Sequence, residues 1–167
     1  MSVLLNFSLT LPSGPHRVGQ SEGEDIDDFQ SLVVVACGIL AETDCRFHAA
    51  GFGDGDWPVD VSYDLSALME QLPDALNALR TGRACEIDFY GQGIERILYF
   101  TIDVPLVNVE CRSGTSWTPV PAVVRHDKEM LVELLERMAK DFADAVAIGA
   151  PEFADVDIFV RWRQGLV

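Results

Sequence analysis

The stretch that decides the fold is Ala84-Cys85-Glu86-Ile87-Asp88-Phe89-Tyr90, in which polar and apolar side chains alternate. Strict alternation is typical of a β-strand with one buried face. Gly91-Gln92-Gly93 follows as a short turn, and two further strand-like runs, 94–102 and 106–112, are joined by Asp103-Val104-Pro105. Because these connections are too short for parallel crossovers, residues 84–112 predict an antiparallel meander of three strands.

Amphipathic helices are predicted on both sides of this meander. Asp127 is a good N-cap for a helix that Gly149 and Pro151 end. Before the meander, Asp64 or Ser66 would cap a helix that ends at Gly82 and that Pro73 would kink or restart. Its apolar stripe consists of Leu65, Leu68, Leu72, Leu76 and Leu79.

The flanking segments complete an α+β pattern. Residues 2–10 and 45–52 predict strands, and Val59 and Val61 predict a short one. Residues 29–40 show helical spacing but contain three consecutive valines; their length favours a helix, with a strand as the alternative. Residues 154–162 predict a last helical turn against the core. We therefore expect a single α+β domain over residues 1–167, with an antiparallel sheet and helices packed on one face.

Charge is the strongest functional signal in the sequence. The chain has 27 acidic and 12 basic residues, a net charge of -15, in a composition that is 49% hydrophobic. Such a field repels nucleic acid and anionic membranes and attracts basic surfaces. No apolar run reaches the roughly 18 residues of a membrane span, and residues 1–11 lack the positive charge of a signal peptide. We expect a cytoplasmic protein with a basic protein partner.

No motif in the sequence indicates a particular reaction, a metal site or a cofactor site. Asp54-Gly55-Asp56 with Asp60 resembles a cation loop, but Pro58 and Asp60 break the EF-hand spacing, which favours an ordinary turn. His48 near that loop lacks a nucleophile in a recognisable motif. The turn 91–93 matches no phosphate-binding fingerprint. The isolated cysteines Cys37, Cys45, Cys85 and Cys111 are predicted to be buried and unpaired, without zinc.

Acidic residues recur in separated clusters beside aromatic residues. The clusters lie at 22–28, 54–64, 86–95 and 152–157, and Trp57, Tyr63 and Tyr90 are predicted to be exposed near them. An acidic run is often only a solvated face. Carboxylates that steer a basic partner, with aromatic anchors beside them, are the alternative. The predicted partner-binding residues are Asp54, Asp56, Trp57, Asp60, Glu86, Asp88, Tyr90 and Glu95.

Three segments resemble small acidic immunity proteins of bacterial polymorphic-toxin and contact-dependent secretion systems. They are 51–61, 68–76 and 86–96, and the resemblance covers roughly residues 45–165. It implies a cytosolic protein without catalytic residues that binds one cognate toxin domain and blocks it. The alternatives are an acidic secretion chaperone or effector adaptor, and a small metal-dependent hydrolase that uses His48 and the Asp54–Asp60 loop.

Overall fold

The computed structural model describes residues 3–16, 26, 28–90 and 94–167, and these residues form an α+β fold, as the sequence predicts. The strands are β1 (Asn6–Thr10), β2 (Arg46–Ala50), β3 (Cys85–Phe89), β4 (Arg96–Asp103), β5 (Leu106–Ser113) and β6 (Val123–Asp127). The helices are α1 (Phe29–Ala41), α2 (Ser66–Arg80), α3 (Lys128–Gly149) and α4 (Asp157–Arg163).

The predicted meander is confirmed and extends by one strand. β3, β4, β5 and β6 form an antiparallel sheet in that order, with Asp88 opposite Ile97 and Val109 opposite Val124. The sequence pattern does not predict β6, because its five residues run directly into α3. The expectation of one sheet is corrected as well, since β1 and β2 form a separate antiparallel pair.

The core lies against one face of the four-stranded sheet. Alternation puts Ile87, Leu98 and Val109 on that face, where all three are fully buried. Leu72 of α2 and Leu135 of α3 belong to the same buried cluster. Burying apolar surface in this way is the main driving force of the fold.

The segment 29–40 is a helix, as its length and spacing favoured. The Asp28 carboxylate caps α1 by accepting from the Ser31 N–H at 2.8 Å. The buried side chains recur at helical spacing, which outweighs the β propensity of the consecutive valines. They are Leu32, Val33, Ala36, Cys37 and Leu40.

The short strand expected at Val59 and Val61 is wrong. Val61–Leu65 is a turn of π-helix that leads directly into α2. Asp60, rather than the predicted Asp64 or Ser66, caps it, because its Oδ1 accepts from the N–H groups of Tyr63 and Asp64 at 2.7 and 3.2 Å. Pro73 lies inside α2, which continues across it as one helix from Ser66 to Arg80.

The C-terminal half follows the sequence closely. The Asp127 carboxylate accepts from the Glu129 and Met130 N–H groups at 3.0 and 3.1 Å and so caps α3. The predicted last helical turn is α4, whose Phe159 packs edge-on against Phe142 at 5.7 Å between ring centroids. None of the helices among the described residues is long and apolar enough to span a bilayer.

Candidate functional site

A groove of about 1040 Å³ opens between α2 and the edge strand β3 and extends to the outer side of α1. We call it the α2–β3 groove. Its residues come from α1, the π-helical turn, α2 and β3 with the segment before it. They are Gln30, Val34, Ser62, Tyr63, Ser66, Ala67, Glu70, Gln71, Asp74, Ala75, Asn77, Ala78, Arg83, Ala84, Cys85, Glu86, Asp88 and Tyr90.

Gln71 fixes the distance between the two walls of the groove. Its Nε2 donates to the Asp88 carbonyl and its Oε1 accepts from the Asp88 N–H, both at 2.9 Å. The same Nε2 donates to the Ala67 carbonyl at 2.7 Å, which ties the amide to its own helix. Because β4 is the one strand of the described chain that pairs with β3, this amide occupies the place that a further strand would take at Asp88.

Four carboxylates line the groove, two on each wall. Glu70 and Asp74 lie one turn apart on α2, and Glu86 and Asp88 lie two residues apart on β3. Arg83, the cation among the described lining residues, donates from Nε to the Thr81 hydroxyl at 3.0 Å. The groove therefore concentrates negative potential, as a cleft lined by one sign of charge does.

Partial burial affects two of these carboxylates. Desolvation raises the pKa of Glu70. Desolvation, followed by the nearby charge of Glu86, raises the pKa of Asp88, whose buried Oδ1 has no hydrogen-bond partner among the described residues. Both carboxylates would be stabilised by a cation that entered the groove, because an opposite charge favours their ionised form.

The groove also offers exposed apolar surface. Tyr63 is 58% exposed, Tyr90 is 80% exposed, and Val34 on the outer side of α1 is 49% exposed. Aromatic side chains beside charged groups are typical of protein–protein contact surfaces. The site is thus amphipathic, with an apolar wall at α1 and the π-helical turn and acidic walls along α2 and β3.

The groove unites only part of the predicted partner-binding set. Glu86, Asp88 and Tyr90 line it together, whereas Glu95 lies before β4 with its side chain close to Gly114. The acidic cluster at 22–28 falls outside the described residues except for Asp28, and so does the turn 91–93.

Sequence reasoning missed three groove residues, Glu70, Asp74 and Tyr63. Glu70 and Asp74 were recognisable as an i, i+4 pair on the polar side of the leucine stripe, since residues four apart share a helix face. The sequence predicts Tyr63 only as an exposed aromatic residue near an acidic cluster. Its exposure, like that of Tyr90, is confirmed.

The predicted exposure of Trp57 is wrong, because the side chain is only 2% exposed. Its ring packs edge-on against Phe7 and Phe89, and its Nε1 donates to the Gly51 carbonyl at 3.2 Å. Trp57 therefore belongs to the core and offers no surface to a partner. The surrounding turn, rich in aspartate and glycine, suggests exposure of Trp57 from the sequence alone.

Two of the predicted aspartates hold the fold together. Asp54 accepts from Arg96 Nη2 at 3.1 Å, and Asp60 caps the π-helical turn. Asp56 is exposed, but it is not among the residues that line the α2–β3 groove.

The sequence does not predict a structural role for Arg96, although its charged side chain is buried. Its side chain is 4% exposed and lies between two indole rings, with its Cζ 4.6 Å from the Trp57 centroid and 3.6 Å from that of Trp117. Within residues 3–16, 26, 28–90 and 94–167, nothing accepts a hydrogen bond from its Nε or Nη1. No alternation rule predicts a cation on the buried face of a strand.

The contacts of His48 connect β2 to the loop at Gly55 and Asp56. Its Nε2 lies 3.1 Å from the Gly55 carbonyl and 3.6 Å from Asp56 Oδ1. Across residues 3–16, 26, 28–90 and 94–167, no three His, Cys, Asp or Glu side chains are grouped so that they could hold a metal ion. All four cysteines are free; Cys37, Cys45 and Cys111 are buried as predicted, and Cys85 is half-buried.

No protein-family model matches this chain, and neither a curated protein nor a solved structure matches it. The candidate site therefore rests on this chain's own residues.

Proposed function

We propose that this protein is an immunity-type inhibitor that binds one cognate toxin domain in the cytoplasm and blocks it stoichiometrically. The observation that carries the proposal is the α2–β3 groove, where four carboxylates and two exposed tyrosines surround a volume large enough for side chains of a partner. Toxin domains that act on nucleic acids or nucleotides have basic clefts, which an acidic surface complements. The resemblance of segments 51–61, 68–76 and 86–96 to immunity proteins supports the same function.

Charge and aromatic contacts have different roles in this proposal. A net charge of -15 steers a basic partner to the protein and disfavours nucleic acid and anionic membranes. Exposed aromatic side chains then supply contact area that slows dissociation. The inhibitor needs no catalytic residue, metal or cofactor for this activity.

The Gln71–Asp88 contacts favour an inhibitor of a folded domain over a chaperone that receives an extended segment. An extended segment commonly binds by adding a strand to an open sheet edge. At β3 both backbone groups of Asp88 are already hydrogen bonded to Gln71. A folded domain needs no such main-chain pairing.

Co-expression tests the proposal. The chain would be produced in a bacterial host with any toxin-like domain encoded beside its gene, and growth would be scored with binding of the purified pair. The Asp74→Lys/Glu86→Lys variant reverses two exposed groove carboxylates, and Glu152→Lys/Asp155→Lys reverses two exposed carboxylates outside the groove with the same change in net charge. We expect loss of protection only in the groove variant. Equal protection by both folded variants contradicts the groove as the contact surface.

A further inference from the structure

The backbone of β3 restricts what the α2–β3 groove can receive. β3 is an edge strand, and in an edge strand alternate residues direct their N–H and C=O groups away from the sheet. Asp88 is such a residue, since its two backbone groups are bonded to Gln71 and not to β4. A strand added along β3 would lose its pairing at Asp88, one of the two outward-facing residues of β3, unless it displaced the amide.

A segment without main-chain partners must satisfy its own backbone hydrogen bonds. Buried N–H and C=O groups without partners cost free energy, and a helix satisfies them by bonds between residues four apart in the same segment. A partner element that enters the groove between α2 and β3 is therefore favoured as a helix over an extended chain.

The walls of the groove specify the side chains of this element. Val34 and Tyr63 are exposed at the wall formed by α1 and the π-helical turn, whereas Glu70, Asp74 and Glu86 line the rest. An apolar side chain fits the first wall. Lysine or arginine fits the second, because each has an apolar stem and a cationic end.

We propose that the α2–β3 groove receives an amphipathic α-helix of the partner, with an apolar residue against Val34 and Tyr63 and lysine or arginine residues between the carboxylates of α2 and β3. This inference rests on the proposed function and specifies the part of the partner that is recognised. Helix-in-groove recognition of this kind uses anchors three and four residues apart.

Two synthetic peptides of identical leucine and lysine content test the inference. Each would be about 15 residues long, near the lower limit for an isolated helix. One peptide orders its residues with helical period, so that one face is apolar and the other cationic, and the other peptide alternates them strictly. Because net charge and composition are equal, general attraction to an acidic protein affects both peptides alike.

Fluorescence anisotropy would give the affinity of each peptide for the wild-type chain, for Asp74→Lys/Glu86→Lys and for the control Glu152→Lys/Asp155→Lys. We expect the helical peptide to bind wild type about tenfold more tightly than the alternating peptide, a difference of about 1.4 kcal/mol. This preference should persist in the control variant and disappear in the groove variant. Circular dichroism of both variants checks that they are folded.

The alternative outcomes separate this inference from the proposed function. If both peptides lose affinity in the groove variant but bind wild type equally, or if the alternating peptide binds more tightly, the helical occupant is wrong and the groove stays a cation-binding surface. If the groove and control variants weaken both peptides equally, the groove is not the binding surface, and the inference and the site of the proposed function both fail.

Discussion

The side-chain amide of Gln71 is hydrogen bonded to both backbone groups of Asp88, with Nε2 donating to the carbonyl and Oε1 accepting from the N–H at 2.9 Å each. A side chain of α2 thereby pairs with the free edge of β3 in place of a strand. Exposed sheet edges promote association between chains, and covering them is a common protection. One glutamine thus links the shape of the groove to the protection of the edge.

Replacement of Gln71 by leucine should destabilise the fold. Gln71→Leu removes both bonds to Asp88 and leaves the N–H and C=O beneath an apolar side chain, at a cost of about 1–3 kcal/mol. Urea unfolding measures the loss, and sedimentation measures any association through the uncovered edge. Gln164→Leu, at an exposed position, is the control and should change stability by less than about 0.5 kcal/mol. Equal stability of the two variants would show that the Gln71 bonds contribute nothing.

Replacing Asp54 should lower the free energy of unfolding more than replacing its partner Arg96. Asp54→Asn leaves the buried guanidinium without a counter-charge, and uncompensated buried charge costs about 3 kcal/mol or more. Arg96→Met leaves a carboxylate that still reaches water and mainly loses the contacts with Trp57 and Trp117, for about 2 kcal/mol. Urea unfolding of both variants gives the order.

Arg125→Met is the matched control for Arg96→Met. Arg125 pairs with Asp103 at 2.9 Å, but both side chains are 58% exposed. Exposed ion pairs contribute at most about 1 kcal/mol, so this variant should stay close to wild type. Should Arg96→Met prove more damaging than Asp54→Asn, stacking between the indole rings would outweigh the ion pair.

The elements that the sequence predicted well are those in which local preference and burial agree. Residues 84–90 alternate with period two, and the stripe of α3 begins directly after a strong cap at Asp127. The expected strand at Val59 and Val61 is wrong because the Asp60 carboxylate accepts two backbone hydrogen bonds. These bonds stabilise a π-helical turn against the β propensity of valine. Side-chain capping of that kind depends on the three-dimensional path of the chain.

The candidate site was predictable only within one element. Glu86, Asp88 and Tyr90 lie at alternate positions of one short segment, so the sequence pattern alone places them near one another. Their approach to Glu70 and Asp74 depends on the packing of α2 beside β3, which a sequence pattern does not encode. The prediction for Trp57 is wrong for the opposite reason, because its turn-rich surroundings suggest exposure while the ring packs edge-on against Phe7 and Phe89.

Asp64 should make stability fall as pH rises from the ordinary pKa of an aspartate through the raised pKa of Asp64 in the folded chain. Desolvation raises its pKa above the ordinary 3.8; the bond from the Asp60 N–H lowers the pKa in part, and the charge of Asp60 raises it again. The unfolded chain therefore loses this proton at lower pH than the folded chain. The favourable contribution is present below about 3.8 and is lost as pH rises through the folded-state pKa.

Urea unfolding of wild type and Asp64→Asn between pH of about 4 and 7 measures this contribution. The free energy of unfolding of wild type minus that of the variant should decrease with rising pH. Asp56→Asn, which removes an exposed carboxylate, controls for the change in net charge. A difference that stays flat or increases over this range would contradict a raised pKa at Asp64.

Groove variants should separate the effect of charge on the association rate from the effect of aromatic contact on the dissociation rate. Asp74→Lys/Glu86→Lys should slow association of the cognate domain and reduce its dependence on salt, since long-range attraction acts on encounter. Tyr63→Ala should accelerate dissociation by about tenfold with little change in association, because loss of a desolvated anchor acts after encounter.

Tyr99→Ala is the control for Tyr63→Ala. Arg112 Cζ lies 4.4 Å from the centroid of the Tyr99 ring, and Tyr99 does not line the groove. Surface plasmon resonance at two salt concentrations separates the rates. If Tyr63→Ala altered association and left dissociation unchanged, the tyrosine would act in steering the partner, and the apolar wall of the groove would not be an anchor site.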